Sequence, residues 1–190
     1  HGWNNSGAPD QRAEWITDLA NAIHSKDPAR RVIVVDWGAG AQRATPWWAA
    51  YNIVQAGERL AQLLKDRGIP SDKLDFVGHS FGTYVANVTA QKLGHTHGIV
   101  ALDPATWLGL HIKNTFSSFK DFSATNYDIS IAYHSSCVAG EGLATADEDF
   151  ALVYPPNVAA DPHGYSYQFW TEQSLASTDW GLRRISNDPD

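Results

Sequence analysis

Residues 73–88, KLDFVGHSFGTYVANV, form the stretch that decides the fold of this chain. Residues 73–77 have the composition of a short buried strand, and residues 83–88 continue as a buried helix would. The turn between them, GHSFG at residues 78–82, is a G-x-S-x-G motif, which on its own is common. Between a strand and a helix it predicts a strained turn that presents the hydroxyl of Ser80 at the end of a sheet. The two glycines are expected there because a larger side chain would clash where helix and strand cross.

Strand-like and helix-like segments alternate along the rest of the chain, which is typical of a parallel sheet flanked by helices. The predicted strands are residues 31–37, 73–77, 99–102, 127–133 and 150–153, and the predicted helices are residues 9–26, 47–67, 165–175 and the one that follows Ser80. Together with the elbow at Ser80, this order predicts an α/β-hydrolase fold with helices on both faces of a mostly parallel sheet. We expect residues 1–190 to form one domain, and the absence of any Met indicates a piece of a longer chain.

Charge and cysteine content exclude some classes of partner. The first 120 residues carry 12 basic and 10 acidic side chains, whereas the last 70 carry 2 basic and 11 acidic ones. This balance disfavours nucleic acid and anionic membranes as main partners. The single cysteine, Cys137, cannot form a disulfide within the chain, and no stretch is apolar enough to span a bilayer.

A serine nucleophile needs a base and an orienting acid, and in this fold the acid and the histidine follow the serine in the chain. Asp103 comes directly after the predicted strand 99–102, and catalytic groups of parallel sheets lie at the carboxyl ends of strands. We favour Asp103 as the acid over the simpler interpretation that it caps the turn before Pro104. Asp128 and Asp161 are the weaker alternatives.

Eight histidines compete for the role of the base. His163 ranks first because it lies on the loop that opens the last predicted helix. His134 is the serious competitor, since it ends a predicted strand, although a hydrogen-bonded core histidine would look the same. His79 lies inside the elbow, where its side chain cannot easily reach the serine hydroxyl.

Two backbone N–H groups are expected to bind the oxyanion of the reaction. One is that of Phe81, which follows the serine at a helix N-terminus. The other is that of Trp3, which follows His1-Gly2. No metal or cofactor is expected, because no histidine or cysteine spacing fits a metal site and the acidic run at residues 147–149 is best explained as a solvated loop.

The same blocks, in the same order, resemble the pancreatic lipase family of α/β-hydrolases, which includes lipases and phospholipases A1. The similar segments are HGW at residues 1–3, VDWGAGAQ at 35–42, residues 52–61, the elbow at 76–86, VALDPA at 100–105, residues 129–135 and HGYSY at 163–167. The resemblance implies a triad of Ser80, Asp103 and His163 and places His134 at a non-catalytic position.

The chain also departs from this family's pattern. Only residues 157–162 fill the interval where the family has a lid, so we expect the lid to be reduced or absent. The family's calcium loop is not recognisable around residues 116–124. A strand that in the family leads into the His-Gly loop would have to precede His1.

These observations predict a serine hydrolase that cleaves carboxylic esters, of lipase or esterase type and possibly like phospholipase A1, through an acyl-enzyme intermediate. Trp47, Trp48 and Trp107 are candidates to line the acyl pocket, with core packing an equally good explanation. The alternatives are a catalytically silent binding module of the same fold and an acyltransferase with the same triad. We expect an ester or lipid substrate, at most transient contact with a lipid surface, a monomer, and an extracellular location.

Overall fold

The computed structural model describes residues 1–105, 121–123, 125–136, 143, 145–153 and 161–176. Residues 174–176 are described by their backbone alone. Trp107, Cys137 and most of residues 116–124 and 157–162 lie outside the described residues. None of the helices in the described ranges combines the length and the apolar character needed to cross a membrane.

Helices and strands alternate along the described chain. The helices are α1 (Glu14–Lys26), α2 (Gly38–Ala41), α3 (Pro46–Asp66), α4 (Phe81–Leu93) and α5 (Pro162–Ala176), and a 3₁₀ turn covers Ser71–Lys73. The strands are β1 (Asp75–His79), β2 (Thr96–Leu102), β3 (Tyr127–His134) and β4 (Glu148–Ala151). α3 begins at a proline in its first turn and is closed by Gly68, whose φ of 63° suits a glycine.

The four strands form one parallel sheet in the order β1-β2-β3-β4. His79 at the end of β1 is in register with Leu102 of β2, and Leu102 is in register with Tyr133 of β3. The carboxyl ends of these three strands therefore meet at one edge of the sheet.

Alternate residues of β2 point into two separate cores, so the sheet carries helices on both faces. Ile99 and Ala101 pack in a cluster with side chains of α3 and α4. Val100 and Leu102 pack with Leu19 of α1 and Trp170 of α5. Buried apolar side chains on both sides of a strand are typical of a parallel sheet, and the predicted α/β fold is confirmed.

The prediction of a buried strand at residues 31–37 is wrong. This segment forms no strand and has no ladder partner, and Ile33 is 50% exposed. A cavity of about 850 Å³ is lined by residues 29–35 and by residues 72–79 of the β1 region. No described segment pairs with β1 on that side, and β2 is its partner in the described sheet.

The first helix is also shorter than its sequence pattern predicts. Residues 9–11 form a turn, and α1 begins at Glu14 instead of Pro9. The apolar positions of the prediction are otherwise well placed, since Ile16 and Leu19 are buried. The predicted strand at residues 150–153 begins and ends two residues earlier, at Glu148 and Ala151.

Candidate active site

Ser80 lies in a strained turn between β1 and α4. Its φ of 55° and ψ of −125° fall in a region that non-glycine residues rarely adopt. The turn is held because the N–H of Ser80 donates to the carbonyl of Leu102 at 2.9 Å, which extends the sheet ladder beyond β1. A Cβ on Gly78 would lie 2.6 Å from the Cα of Thr83, so only glycine fits where the strand and helix cross.

Asp103 lies beyond the end of β2, next to the turn of Ser80. Its N–H donates to the carbonyl of Tyr133 at 2.7 Å, and its side chain is fully buried. Oδ1 accepts hydrogen bonds from the backbone N–H groups of Ser135, at 2.8 Å, and Ser136, at 3.1 Å. Oδ2 accepts one from the hydroxyl of Ser136 at 2.6 Å. These contacts fix both carboxylate oxygens.

His163 completes the hydrogen bonding of Asp103. Its Nδ1 lies 2.5 Å from Oδ2 of Asp103, and its side chain, in the first turn of α5, is 36% exposed. Since a carboxylate only accepts, Nδ1 carries the proton and Nε2 is left with a lone pair. That is the tautomer a general base needs.

The carboxylate charge of Asp103 is stabilised despite its burial. Burial alone would raise the pKa of this carboxyl, but the hydrogen bonds from His163, Ser136 and two backbone N–H groups outweigh it and hold the pKa below its ordinary value. Burial, followed by the nearby charge of Asp103, raises the pKa of the Tyr84 hydroxyl, which therefore stays neutral.

The first residues of the chain pack directly on the nucleophile elbow. A Cβ on Gly2 would lie 2.7 Å from Cβ and 3.1 Å from Oγ of Ser80, and one on Gly82 would lie 2.6 Å from the carbonyl oxygen of His1. Ser80 is only 7% exposed, although we expected its hydroxyl to be open to solvent. The contact with Gly2 explains part of this cover.

The two proposed oxyanion donors flank this contact. Phe81 is the first residue of α4, where backbone N–H groups have no partner within the helix. Trp3 follows Gly2, and the next residue, Asn4, has a φ of 58° and donates its N–H to the carbonyl of Ala41 at 3.2 Å. The Trp3 indole N–H donates to the carbonyl of Arg43 at 2.8 Å, which fixes the side chain beside the segment that follows α2.

Asp36 and Trp37 hold the loop at residues 1–7 in place, a role that was not predicted from the sequence. Oδ1 of Asp36 accepts from the N–H groups of Gly7 at 2.8 Å and Gly38 at 3.0 Å. The ring of His1 stacks on that of Trp37 at 5.7 Å, and the indole N–H of Trp37 donates to the His1 carbonyl at 2.7 Å. The VDW segment could have signalled this, because a polar residue at the end of an apolar run needs hydrogen-bond partners.

The competing acids and bases have other partners in the structure. Nε2 of His134 contacts Oδ1 of Asp149 on β4, and the histidine side chain is only 8% exposed. Asp128 is 61% exposed and lies 3.7 Å from His95. Oδ1 of Asp161 accepts from the N–H of Gly164 at 2.9 Å, as a residue that caps a helix does.

The tryptophans assigned to the acyl pocket differ in accessibility. Trp47 is 36% and Trp48 is 64% exposed, both in the first turn of α3, and neither lines the cavity beside β1. Their assignment stays a prediction, as does that of Trp107. Asp147 and Asp149 are exposed, as expected for a solvated acidic run, but residues 147–149 are not a loop throughout, because Glu148 and Asp149 begin β4 and Oδ2 of Asp147 accepts from the N–H and hydroxyl of Ser130. Among the described residues, no three histidine, cysteine or acidic side chains cluster to hold a metal ion.

The elbow, the parallel sheet and the groups at its carboxyl edge define an α/β-hydrolase. Residues 1–115, more than half of the chain, match the lipase family, and the chain belongs to this family. The resemblance to the pancreatic lipase family is thereby confirmed.

Individual relatives agree with this assignment. The chain is 29% identical over 110 residues to the lipoprotein lipases of Papio anubis and Homo sapiens, which covers 55% of the chain and 22% of each relative. It is 34% identical over 94 residues to the inactive pancreatic lipase-related protein 1 of Homo sapiens, which covers 47% of the chain and 20% of that protein. The matched part is thus about a fifth of the length of these relatives, and one of them is named as inactive.

Proposed function

We propose that this chain hydrolyses carboxylic esters, including lipid esters, with Ser80 as nucleophile, His163 as general base and Asp103 as the orienting acid. The observation that carries the proposal is the hydrogen bond between Nδ1 of His163 and the buried carboxylate of Asp103, at the sheet edge where the strained turn of Ser80 lies. An aspartate buried only for packing would have no reason to bond a partly exposed histidine at the same sheet edge as Ser80.

The steps follow from the protonation states of these groups. Nε2 of His163 takes the proton of Ser80 as Oγ bonds to the ester carbonyl carbon, and the carbonyl electrons move onto oxygen. The N–H groups of Phe81 and Trp3 stabilise that oxyanion. When the carbonyl re-forms, the ester C–O bond breaks and His163 gives its proton to the leaving alcohol. Water, deprotonated by His163, then attacks the acyl-enzyme, and as the bond to Oγ of Ser80 breaks and releases the acid, His163 returns the proton to Oγ.

Asp103 acts throughout by charge and geometry. Its carboxylate holds the proton of His163 on Nδ1 and stabilises the imidazolium that forms in each half of the reaction. Its lowered pKa supports this role, because the group stays ionised at every pH at which His163 can work as a base.

The substrate class is proposed on the family membership and the sequence. We expect soluble esters with short to medium acyl chains and little activation at lipid surfaces, with Trp47 and Trp48 in contact with the acyl chain. A location outside the cell is proposed on the same grounds. A sharp rise in rate above the solubility limit of the substrate would contradict the expected lack of surface activation.

Covalent labelling tests whether the chain is an enzyme. A fluorophosphonate should add one phosphonyl group to the wild-type protein, seen by intact mass, and should not add to Ser80→Ala. The matched control is Ser71→Ala, which removes a serine from the 3₁₀ turn and should leave labelling unchanged. A wild-type protein that is folded but unlabelled would instead support a silent binding module, and ester products formed with added alcohol would indicate acyl transfer.

A further inference from the structure

His79 is a buried polar residue that the proposed reaction does not use. It is the last residue of β1, directly before Ser80, and it is 5% exposed. Its ring is enclosed by aromatic neighbours, edge-on to Trp15 at 5.4 Å and to Tyr167 at 5.1 Å. The ring of His163 lies 4.4 Å away. The side chain of His79 therefore extends from the elbow to α5, the helix that carries the proposed base.

The hydrogen bonding of His79 fixes its tautomer. Nε2 lies 2.9 Å from the backbone carbonyl oxygen of His163. A carbonyl oxygen only accepts, so Nε2 carries the proton and donates it. Nδ1 is buried and has no hydrogen-bond partner among the described residues. A second proton would have no acceptor, and the ring stays neutral.

The pKa of the His79 imidazole agrees with this geometry. Burial, and next the proximity of His163, lowers the pKa of His79 to about 3. A neutral neighbour leaves His163 free to take up a proton, whereas a charged imidazolium at the same place would repel the one that forms on His163.

We infer that His79 is a positioning residue for His163. Asp103 fixes the imidazole of His163 through Nδ1, and His79 fixes the backbone of the same residue through its carbonyl. Because His79 and Ser80 are consecutive, this second contact ties the base to the segment that carries the nucleophile. The inference rests on the proposed function, in which His163 is the base.

Two substitutions separate a positioning role from simple packing. His79→Phe keeps a ring of similar size but loses the N–H donor. His79→Gln loses the ring but places an amide N–H about as far from the backbone as Nε2. We expect kcat for a soluble ester to fall about 10–100-fold in His79→Phe with KM little changed, because small displacements of a catalytic group cost rate and not binding. His79→Gln should recover most of kcat even if its melting temperature is lower.

The outcomes are distinct. Wild-type-like kcat in His79→Phe, or an equal loss of kcat in both variants, would overturn the inference while leaving the proposed function intact. A wild-type protein without esterase activity would overturn both. As a check that needs no variant, ¹⁵N NMR of the wild-type protein should show His79 as the neutral tautomer protonated on Nε2 at neutral pH. A ring protonated on Nδ1 would refute the assignment.

Discussion

Replacing Asp103 by asparagine changes one atom and should disable the base. Oδ1 accepts from two backbone N–H groups, so the amide oxygen of the asparagine must take this place. Its NH₂ group then faces Nδ1 of His163, 2.5 Å from Oδ2 in the wild-type structure. An NH₂ group donates there, which moves the histidine proton to Nε2, and Nε2 can no longer accept the proton of Ser80.

The expected loss follows from the tautomer. A serine hydrolase whose histidine is held in the wrong tautomer loses about 10⁴ in kcat, or about 5 kcal/mol of activation free energy. Initial rates of p-nitrophenyl butyrate hydrolysis measure it, with circular dichroism to show that the variant is folded.

Asp149→Asn is the matched control, because it alters another histidine–aspartate contact, that of His134, away from the proposed triad. Its rate should stay close to that of the wild type. A folded Asp103→Asn variant within about tenfold of the wild-type kcat would refute the reasoning. An equal loss in Asp149→Asn would show that the effect is not specific to the proposed triad.

Three further predictions concern packing and pH. The pKa of His79 is lowered to about 3 in the folded chain, so the unfolded chain binds this proton more strongly and stability is lost as the pH falls through the ordinary pKa of 6.5. Between about pH 7 and pH 5 this group should cost about 2 kcal/mol of the free energy of unfolding, measured by urea denaturation. The variant His79→Gln should not show this loss. In Gly2→Ala the new Cβ meets Ser80 at 2.7 Å, and kcat should fall about 10–100-fold with the melting temperature nearly unchanged; full activity would show that the loop moves freely. In Gly57→Ala the Cβ meets Val88 at 2.6 Å between α3 and α4, which should cost about 1–3 kcal/mol of stability; an unchanged denaturation midpoint would contradict the tight crossing.

Local signals in the sequence were sufficient to predict most of the sheet edge. G-x-S-x-G between a strand and a helix identified the turn of Ser80, and Asp103 was placed by the rule that polar groups follow strands at the functional edge. The hydrogen bond between Asp103 and His163 joins residues 60 positions apart. The sequence does not show such a contact, so His163 could only be ranked above His134 as the base. The assignment of residues 1–190 as one domain of a longer protein stays a prediction.

The errors have physical causes. Residues 31–37 are as apolar as a buried strand, but a strand is defined by its partner, which a local pattern does not contain. The acidic run at residues 147–149 is exposed as expected, but its local pattern did not show that Glu148 and Asp149 begin a strand or that Asp147 accepts from the hydroxyl and N–H of Ser130. Some contacts join distant parts of the chain and are not visible in residue spacing. These are the hydrogen bonds from Ser135 and Ser136 to Asp103 and those from the first loop to Asp36.

The unpaired edge of β1 beside the cavity affects the expected solubility of the protein. Parallel strands are normally covered on all sides, and an unpaired edge offers its N–H and C=O groups to any extended backbone that meets it. The lining of that space includes Val32, Val34, Phe76 and Val77, and within β1 only Asp75, at its first position, carries a permanent charge to discourage such pairing. We therefore expect this edge to promote aggregation, and because β1 ends directly before Ser80, aggregation would also block access to the proposed nucleophile.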